Sequence, residues 1–105
     1  MALVVAYVPD LMLASRVSEP LRSAGHEVVI ADFPDRAGEA DVLVCDLDQV
    51  DPVEVAELGR PTLGFYSHLD VETGRAGREA GLALVVPRSR MARDIIGLVA
   101  DLTEG

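Results

Sequence analysis

The sequence predicts an α/β domain built on one parallel β-sheet, with helices on both faces of the sheet. Five short apolar runs, rich in branched residues, recur along the 105 residues, and helical patterns separate most of them. Runs that are apolar throughout are typical of strands covered on both faces, as in a parallel sheet. The alternation of strands and helices predicts right-handed crossovers.

The five strands are expected at residues 3–8, 28–31, 42–45, 62–66 and 84–86. Between the second and third runs stand only ten residues, 32–41. A helical crossover between parallel strands usually needs a dozen or more residues. We therefore expect a loop or a single turn in this crossover.

Four helices are expected. The first covers residues 11–24 and ends at Gly25, a common residue after a helix, while Pro20 predicts a kink or a restart inside it. A short helix begins at Asp51 and Pro52. The next covers residues 71–80, with Asp70 as its cap and with glycines at positions 74 and 77 that lower its helix propensity.

The last helix has the clearest pattern, because apolar residues recur on one face after a possible N-cap at Ser89. This stripe is expected to pack on the sheet, and it consists of Met91, Ile95, Leu98, Val99 and Leu102.

Length and composition predict a single domain over residues 1–105, since half of the residues are apolar. A net charge of −9 and a pI near 4.4 argue against nucleic acid as a partner. No apolar run approaches the ~20 residues of a membrane helix, and the amino terminus lacks a secretion signal. A cytoplasmic location is expected. Cys45, the one cysteine, lies in a predicted apolar strand, and we expect its side chain to pack in the core.

Chemically interesting residues follow the predicted strands. Asp46 and Asp48 come directly after the third strand, and Asp10 follows the first. The other candidates, after the fourth and fifth strands, are Ser67, His68 and Arg88. In an open α/β sheet, ligand sites lie outside the carboxyl ends of the strands, so these side chains are expected at one edge.

The chain resembles the receiver domains of bacterial response regulators over essentially its full length. The order of elements carries the likeness, together with residues 22–29, 44–47 and 80–89. The resemblance implies a flavodoxin-like three-layer sandwich with strand order 2-1-3-4-5 and a shortened second crossover. It also implies that Asp46 stands at the position of the phospho-accepting aspartate, and that Arg88 replaces the family's lysine.

Departures from the family pattern make this chain resemble a degenerate, or pseudo-, receiver. Val8 and Pro9 stand where the family has its magnesium-binding acidic pair, and Asp10 lies just past them. Phosphoryl transfer to a carboxylate depends on Mg²⁺ and a cation. We therefore expect no bound metal or cofactor, with Mg²⁺ relevant only if the chain is an active receiver. An ion pair between Arg88 and Asp46 is expected, the alternative being a surface arginine.

These observations favour a stand-alone, non-enzymatic signalling domain that acts by protein contact, with a histidine kinase or a regulator as partner. The resemblance implies a possible homodimer through the family's fourth and fifth helices.

One alternative is a phosphorylation-competent receiver in which Asp10 takes over the metal role. The other is a flavodoxin-like enzyme or cofactor-binding domain, although residues 9–13 are not a Ser/Thr/Gly-rich phosphate loop. His68 is interpreted as a loop residue, and Asp48 as a residue that caps or solvates the following turn.

Overall fold

Five parallel strands form one sheet in the order β2-β1-β3-β4-β5, as predicted. The computed structural model describes residues 1–67 and 69–104. The strands are β1 (Leu3–Tyr7), β2 (Glu27–Ile30), β3 (Val42–Asp46), β4 (Thr62–Tyr66) and β5 (Leu84–Pro87). The helices are α1 (Leu11–Ser23), α2 (Pro52–Ala56), α3 (Val71–Glu79) and α4 (Arg88–Glu104).

The sheet lies between two helical layers, which confirms the predicted three-layer architecture. Side chains alternate across β1, so Val4 and Ala6 join one apolar cluster while Val5 and Tyr7 join another. The first cluster packs against α1 and α4, and the second lies on the opposite face, under α2. The α4 stripe is buried at Met91, Ile95, Leu98 and Val99, with Leu102 partly buried.

Two features of the helices differ from the sequence-based expectation. Helix α1 continues through Pro20 to Ser23, so the predicted restart is not observed. The irregular backbone lies instead in α4, where Asp94 has φ −119° and ψ 16°. The Asp94 carboxylate lies 3.3 Å from Arg93 and 3.8 Å from Arg90. None of the described helices has the length and hydropathy of a membrane span.

The second crossover contains one 3₁₀ turn, Ala37–Glu39, in place of a helix, as its length predicted. Phe33, which precedes this turn, is partly buried and packs edge-on against the Tyr7 ring, with 5.2 Å between the ring centroids. The Tyr7 hydroxyl donates a hydrogen bond to the carbonyl of Asp35 at 2.9 Å. The Tyr7 side chain therefore holds the loop through one aromatic contact and one hydrogen bond.

Helix α3 lies close to the sheet because its buried residues are glycines. A Cβ on Gly74 would lie 2.6 Å from Cζ of Tyr66, and one on Gly77 would lie 2.8 Å from Cδ1 of Leu47. Both distances are far below van der Waals contact. The glycines that lower the helix propensity of this segment thus allow it to pack.

Candidate functional site at the carboxyl edge of the sheet

Asp46 ends β3 and is only 2% exposed, although it is an acidic residue. It pairs in register with Phe65 of β4, so apolar strands flank it on the sheet. Its Oδ1 atom accepts a hydrogen bond from the backbone N–H of Asp48 at 3.0 Å. This bond closes a turn of the type that aspartate side chains often form, and it fixes the orientation of the carboxylate.

Burial is the main influence on the titration of Asp46, and it raises the pKa of this carboxyl. The hydrogen bond from the Asp48 backbone and the charge of Arg88 both act in the opposite direction. The negative charges of Asp48 and Asp10 add to the increase. The pKa of Asp46 is therefore raised, and the group keeps its proton to a higher pH than an exposed aspartate.

Leu47 anchors the acidic turn from the opposite side of the sheet. Its side chain, 5% exposed, occupies a socket bounded by two glycines. A Cβ on Gly64 of β4 would lie 2.7 Å from Cδ1 of Leu47, and a Cβ on Gly77 of α3 would lie 2.8 Å from the same atom. The absence of a Cβ at both positions leaves room for the Leu47 side chain. Leu47 lies in the same apolar cluster as Leu43 and Cys45, so it continues the alternation of β3, and Asp46 faces the other side of the sheet.

Asp48 connects three elements at this edge. Its Oδ2 atom accepts a hydrogen bond from the backbone N–H of Ser67 at 2.8 Å, at the end of β4. The same oxygen lies 3.5 Å from Nη2 of Arg88, the first residue of α4. Among the described residues, Oδ1 of Asp48 and Nε of Arg88 are buried without a hydrogen-bond partner. Asp48 thus holds the ends of β4 and β5 near its own turn. The sequence analysis predicted only that it caps or solvates the following turn.

Arg88 does form an ion pair, but the prediction that its partner is Asp46 is wrong. Within the described residues, the carboxylate that pairs with Arg88 belongs to Asp48. Asp46 lies at the strand end and is almost fully buried, whereas the Asp48 side chain is 16% exposed and lies farther out, where an arginine leaving β5 reaches it. Arg88 still lowers the pKa of Asp46 through its charge.

Asp10 caps helix α1. Its Oδ1 atom accepts hydrogen bonds from the backbone N–H groups of Met12 at 2.9 Å and Leu13 at 3.1 Å. Val8 is 1% exposed and belongs to an apolar cluster, while Pro9 is exposed. The positions that the family resemblance assigns to a metal-binding acidic pair thus hold a core valine and a proline.

Asp70 is a neighbour of this site that the sequence analysis assigned only as a helix cap. It caps α3 by accepting a hydrogen bond from the Thr73 N–H at 3.4 Å. Its pKa is lowered, chiefly by its hydrogen bonding to Thr73, and Asp48 lies close enough to influence it as well. Its place in the loop after β4, at the same edge as Asp46, is the sequence signal that could have indicated this proximity.

Two residues named in the sequence analysis remain, His68 and Cys45. His68 lies outside the described residues. Cys45 is fully buried, and its burial, together with the charge of Asp46, raises the pKa of the thiol to about 12. Such a thiol is not a nucleophile at neutral pH. In residues 1–67 and 69–104, no three His, Cys, Asp or Glu side chains are arranged to hold a metal ion.

Comparison with known proteins gives a clear answer for the fold. No protein-family model matches this sequence, and a search of curated proteins finds no match. Among solved structures, a response regulator receiver domain protein from Clostridium thermocellum superposes with a TM-score of 0.82. It is 13% identical, and the match covers 99% of this chain and 95% of that one.

Two further solved structures have a similar fold. The receiver domain of the Francisella response regulator 1452 gives a TM-score of 0.76 at 15% identity, with 99% of this chain and 98% of that chain covered. NtrX from Brucella abortus, solved with ADP, gives 0.81 at 16% identity over 98% of this chain. The chain has a receiver-like, flavodoxin-type fold. It spans 27% of the NtrX chain, so what the rest of that protein does is not transferred.

Proposed function

We propose that this domain signals by contact with a protein partner and that Asp46 is not phosphorylated by the magnesium-dependent route. One observation carries the proposal. Val8, at the first position where the family resemblance implies a metal ligand, lies in the apolar core, and the next position is Pro9. Asp10, the remaining acidic candidate, already accepts two backbone hydrogen bonds as the cap of α1.

The charges around Asp46 point the same way. Phosphoryl transfer places negative charge at the acceptor, so the site must supply positive charge to stabilise it. Asp10 and Asp48 both act on Asp46 as like charges, and Arg88, the cation at this edge, pairs with Asp48. An arginine fork is also not equivalent to the compact ammonium of lysine.

Partner, assembly and location remain proposals. The partner is a histidine kinase or another regulator. The candidate surface for a homodimer is formed by α3, β5 and α4, because α3 and α4 stand in the places of the family's fourth and fifth helices. The net charge of −9 supports a protein partner over nucleic acid. We also propose a cytoplasmic location. We do not propose a cofactor-dependent enzyme, because the first amides of α1, where a cofactor phosphate would bind, are occupied by the Asp10 carboxylate.

A second candidate is a phosphorylation-competent receiver. It is favoured by the position of Asp46 at the end of β3 and by the proximity of Asp48, Ser67 and Arg88 at the same edge. In this case Asp10 and Asp46 would have to share the metal, and Asp10 would have to leave its capping role in α1.

Phosphodonor treatment separates the two candidates. The purified chain is incubated with acetyl phosphate and Mg²⁺, and its intact mass is measured. We expect no addition of a phosphoryl group and no Mg²⁺ binding in calorimetry at sub-millimolar metal. A Mg²⁺-dependent addition that disappears in Asp46→Asn would overturn the proposal. Pro9→Asp is the matched variant, because it restores one carboxylate at an exposed position without disturbing the core.

A further inference from the structure

A concave groove lies at the carboxyl ends of β1 and β2, apart from the Asp46 turn. Its volume is about 730 Å³, within the range of roughly 300 to 1,000 Å³ typical of ligand sites. Apolar residues that follow β1, begin α1 and end β2 line it, together with charged residues of the second crossover. The lining residues used below are Leu11, Ile30, Asp32, Asp35 and Arg36.

The groove exposes large apolar side chains that the fold leaves uncovered. Leu11 is 82% exposed and Ile30 is 40% exposed. The second crossover contributes only a 3₁₀ turn beside them, so no helix of the described residues covers this corner of the sheet. Met12, next to Leu11 on α1, is 73% exposed and extends the apolar surface. Exposed apolar residues around a concavity are typical of interaction sites.

The charges of the groove are negative. Asp32 and Asp35 line it, and neither forms an ion pair within the described residues. The lining cation, Arg36, is engaged in two hydrogen bonds with Glu39, at 2.9 and 3.0 Å. An approaching partner therefore meets two carboxylates that form no ion pair within the described residues, next to an apolar surface.

The charge distribution along the chain reinforces this local sign. Residues 1–57, which include every lining residue of the groove, carry twelve acidic residues and three arginines, a net charge of −9. Residues 58–105 carry six acidic residues and six arginines, a net charge of zero. The whole net charge of the chain thus belongs to the half that builds the groove, so the potential there attracts cations.

From this geometry we propose that the groove docks a basic, apolar peptide segment of a protein partner. An apolar side chain of the segment enters between Leu11 and Ile30, and a lysine or arginine faces Asp32 and Asp35. The inference rests on the proposed function in one respect, that the occupant is a protein. Complementary charge supplies specificity and faster association, and it makes binding sensitive to salt.

A library of short random peptides displayed on phage tests the proposal, with the unmodified chain as bait and neither Mg²⁺ nor phosphodonor present. We expect the enriched peptides to combine lysine or arginine with leucine, isoleucine or phenylalanine. Synthetic copies of these peptides should bind more weakly as sodium chloride is raised. Enrichment of acidic peptides, or no enrichment above an empty support, would overturn the proposal.

Variants then locate the binding. Ile30→Ser and the double variant Asp32→Asn with Asp35→Asn should each weaken binding by about tenfold or more, as for contacts at the centre of an interface. Ile96→Ser and Asp101→Asn on α4 are the matched controls, because both residues are exposed and lie outside the groove lining. Circular dichroism verifies the fold of each variant. Equal weakening by the controls would place the peptide elsewhere and contradict the proposal.

The two proposals fail separately. Peptides that bind on α3 or α4 overturn the groove as the docking site and leave signalling by protein contact intact. Phosphorylation of Asp46 overturns the proposed function, whereas the peptide measurements, made without phosphodonor, still decide whether the groove binds.

Discussion

Arg88 pairs with Asp48 and not with Asp46, with 3.5 Å between Nη2 of the arginine and Oδ2 of Asp48. Asp48 also accepts the Ser67 amide, so a single carboxylate oxygen joins the turn after β3 to the ends of β4 and β5. Asp46 is left with a backbone hydrogen bond and with a charge environment set by its neighbours. The first prediction tests that environment.

Arg88→Ala should raise the pKa of Asp46 further, because the arginine charge now lowers it. Asp48→Asn should have the opposite effect, since it removes a like charge and keeps the backbone N–H that bonds to Asp46. Carboxyl NMR titration measures both changes. Arg90→Ala, whose partner is Asp94, is the control. An Asp46 pKa that stays constant in both variants would show that the three groups are independent.

Asp46→Asn should stabilise the fold at neutral pH. The pKa of Asp46 is raised from its ordinary value of 3.8, so the folded protein binds more protons than the unfolded chain above this pH. The contribution of Asp46 to stability therefore falls as the pH rises from 3.8 through its folded-state pKa. Urea melts of both proteins should differ more at pH 7 than near pH 3.8. Exposed Asp101→Asn is the control, and a pH-independent difference would contradict the prediction.

Leu98→Ala should destabilise the protein by about 2 to 5 kcal/mol, the usual range for truncation of a buried leucine. Leu98 is 4% exposed and packs in the apolar cluster beneath α4. Ile96, two residues away and 47% exposed, provides the control variant Ile96→Ala. Urea melts give both free energies of unfolding. Similar values for the two variants would mean that the burial of the α4 stripe is incorrect.

Alanine at two helical glycines should have opposite effects. Gly97→Ala meets open space and should stabilise α4 by about 1 kcal/mol through helix propensity. Gly74→Ala gains the same propensity but places its Cβ 2.6 Å from Tyr66, and overpacking typically costs about 1 to 3 kcal/mol. Its net effect should be destabilising. Thermal melts decide the signs, and stabilisation by both variants would refute the close packing of α3.

The Cys45 thiol should not react with Ellman's reagent at pH 8 while the protein is folded. It is fully buried and its pKa is raised to about 12. In denaturing urea the same thiol should react stoichiometrically. Rapid reaction of the folded protein, with no loss of circular dichroism, would indicate that β3 is more accessible than its burial shows.

The sheet could be predicted from sequence because each strand is a short, nearly continuous apolar run between polar segments, a pattern typical of buried parallel strands. Two of the three predicted caps are confirmed. Asp51 and Asp70 stand directly before helical patterns and do cap those helices. The predicted cap at Ser89 is wrong, because α4 already begins at Arg88. The ten-residue crossover between the second and third predicted strands likewise indicated a turn from its length alone.

The site was only partly predictable. The topology brings Asp46, Asp48, Ser67 and Arg88 to one edge, as expected from the strand ends. The partner of Arg88 could not be read from the sequence, because it depends on which of two carboxylates, two residues apart, extends farther toward α4. The roles of Gly74 and Gly77 depend on tertiary contacts with Tyr66 and Leu47, which helix propensity does not describe.

The socket around Leu47 restricts how this protein can change during evolution. Gly64 and Gly77 come from different elements, yet both leave space for the same side chain. A larger residue at either glycine requires the Leu47 side chain to move or to become smaller. Related sequences should therefore show correlated substitutions among these three positions, and such correlation would trace the ancestry of the acidic turn even where its aspartates have been replaced.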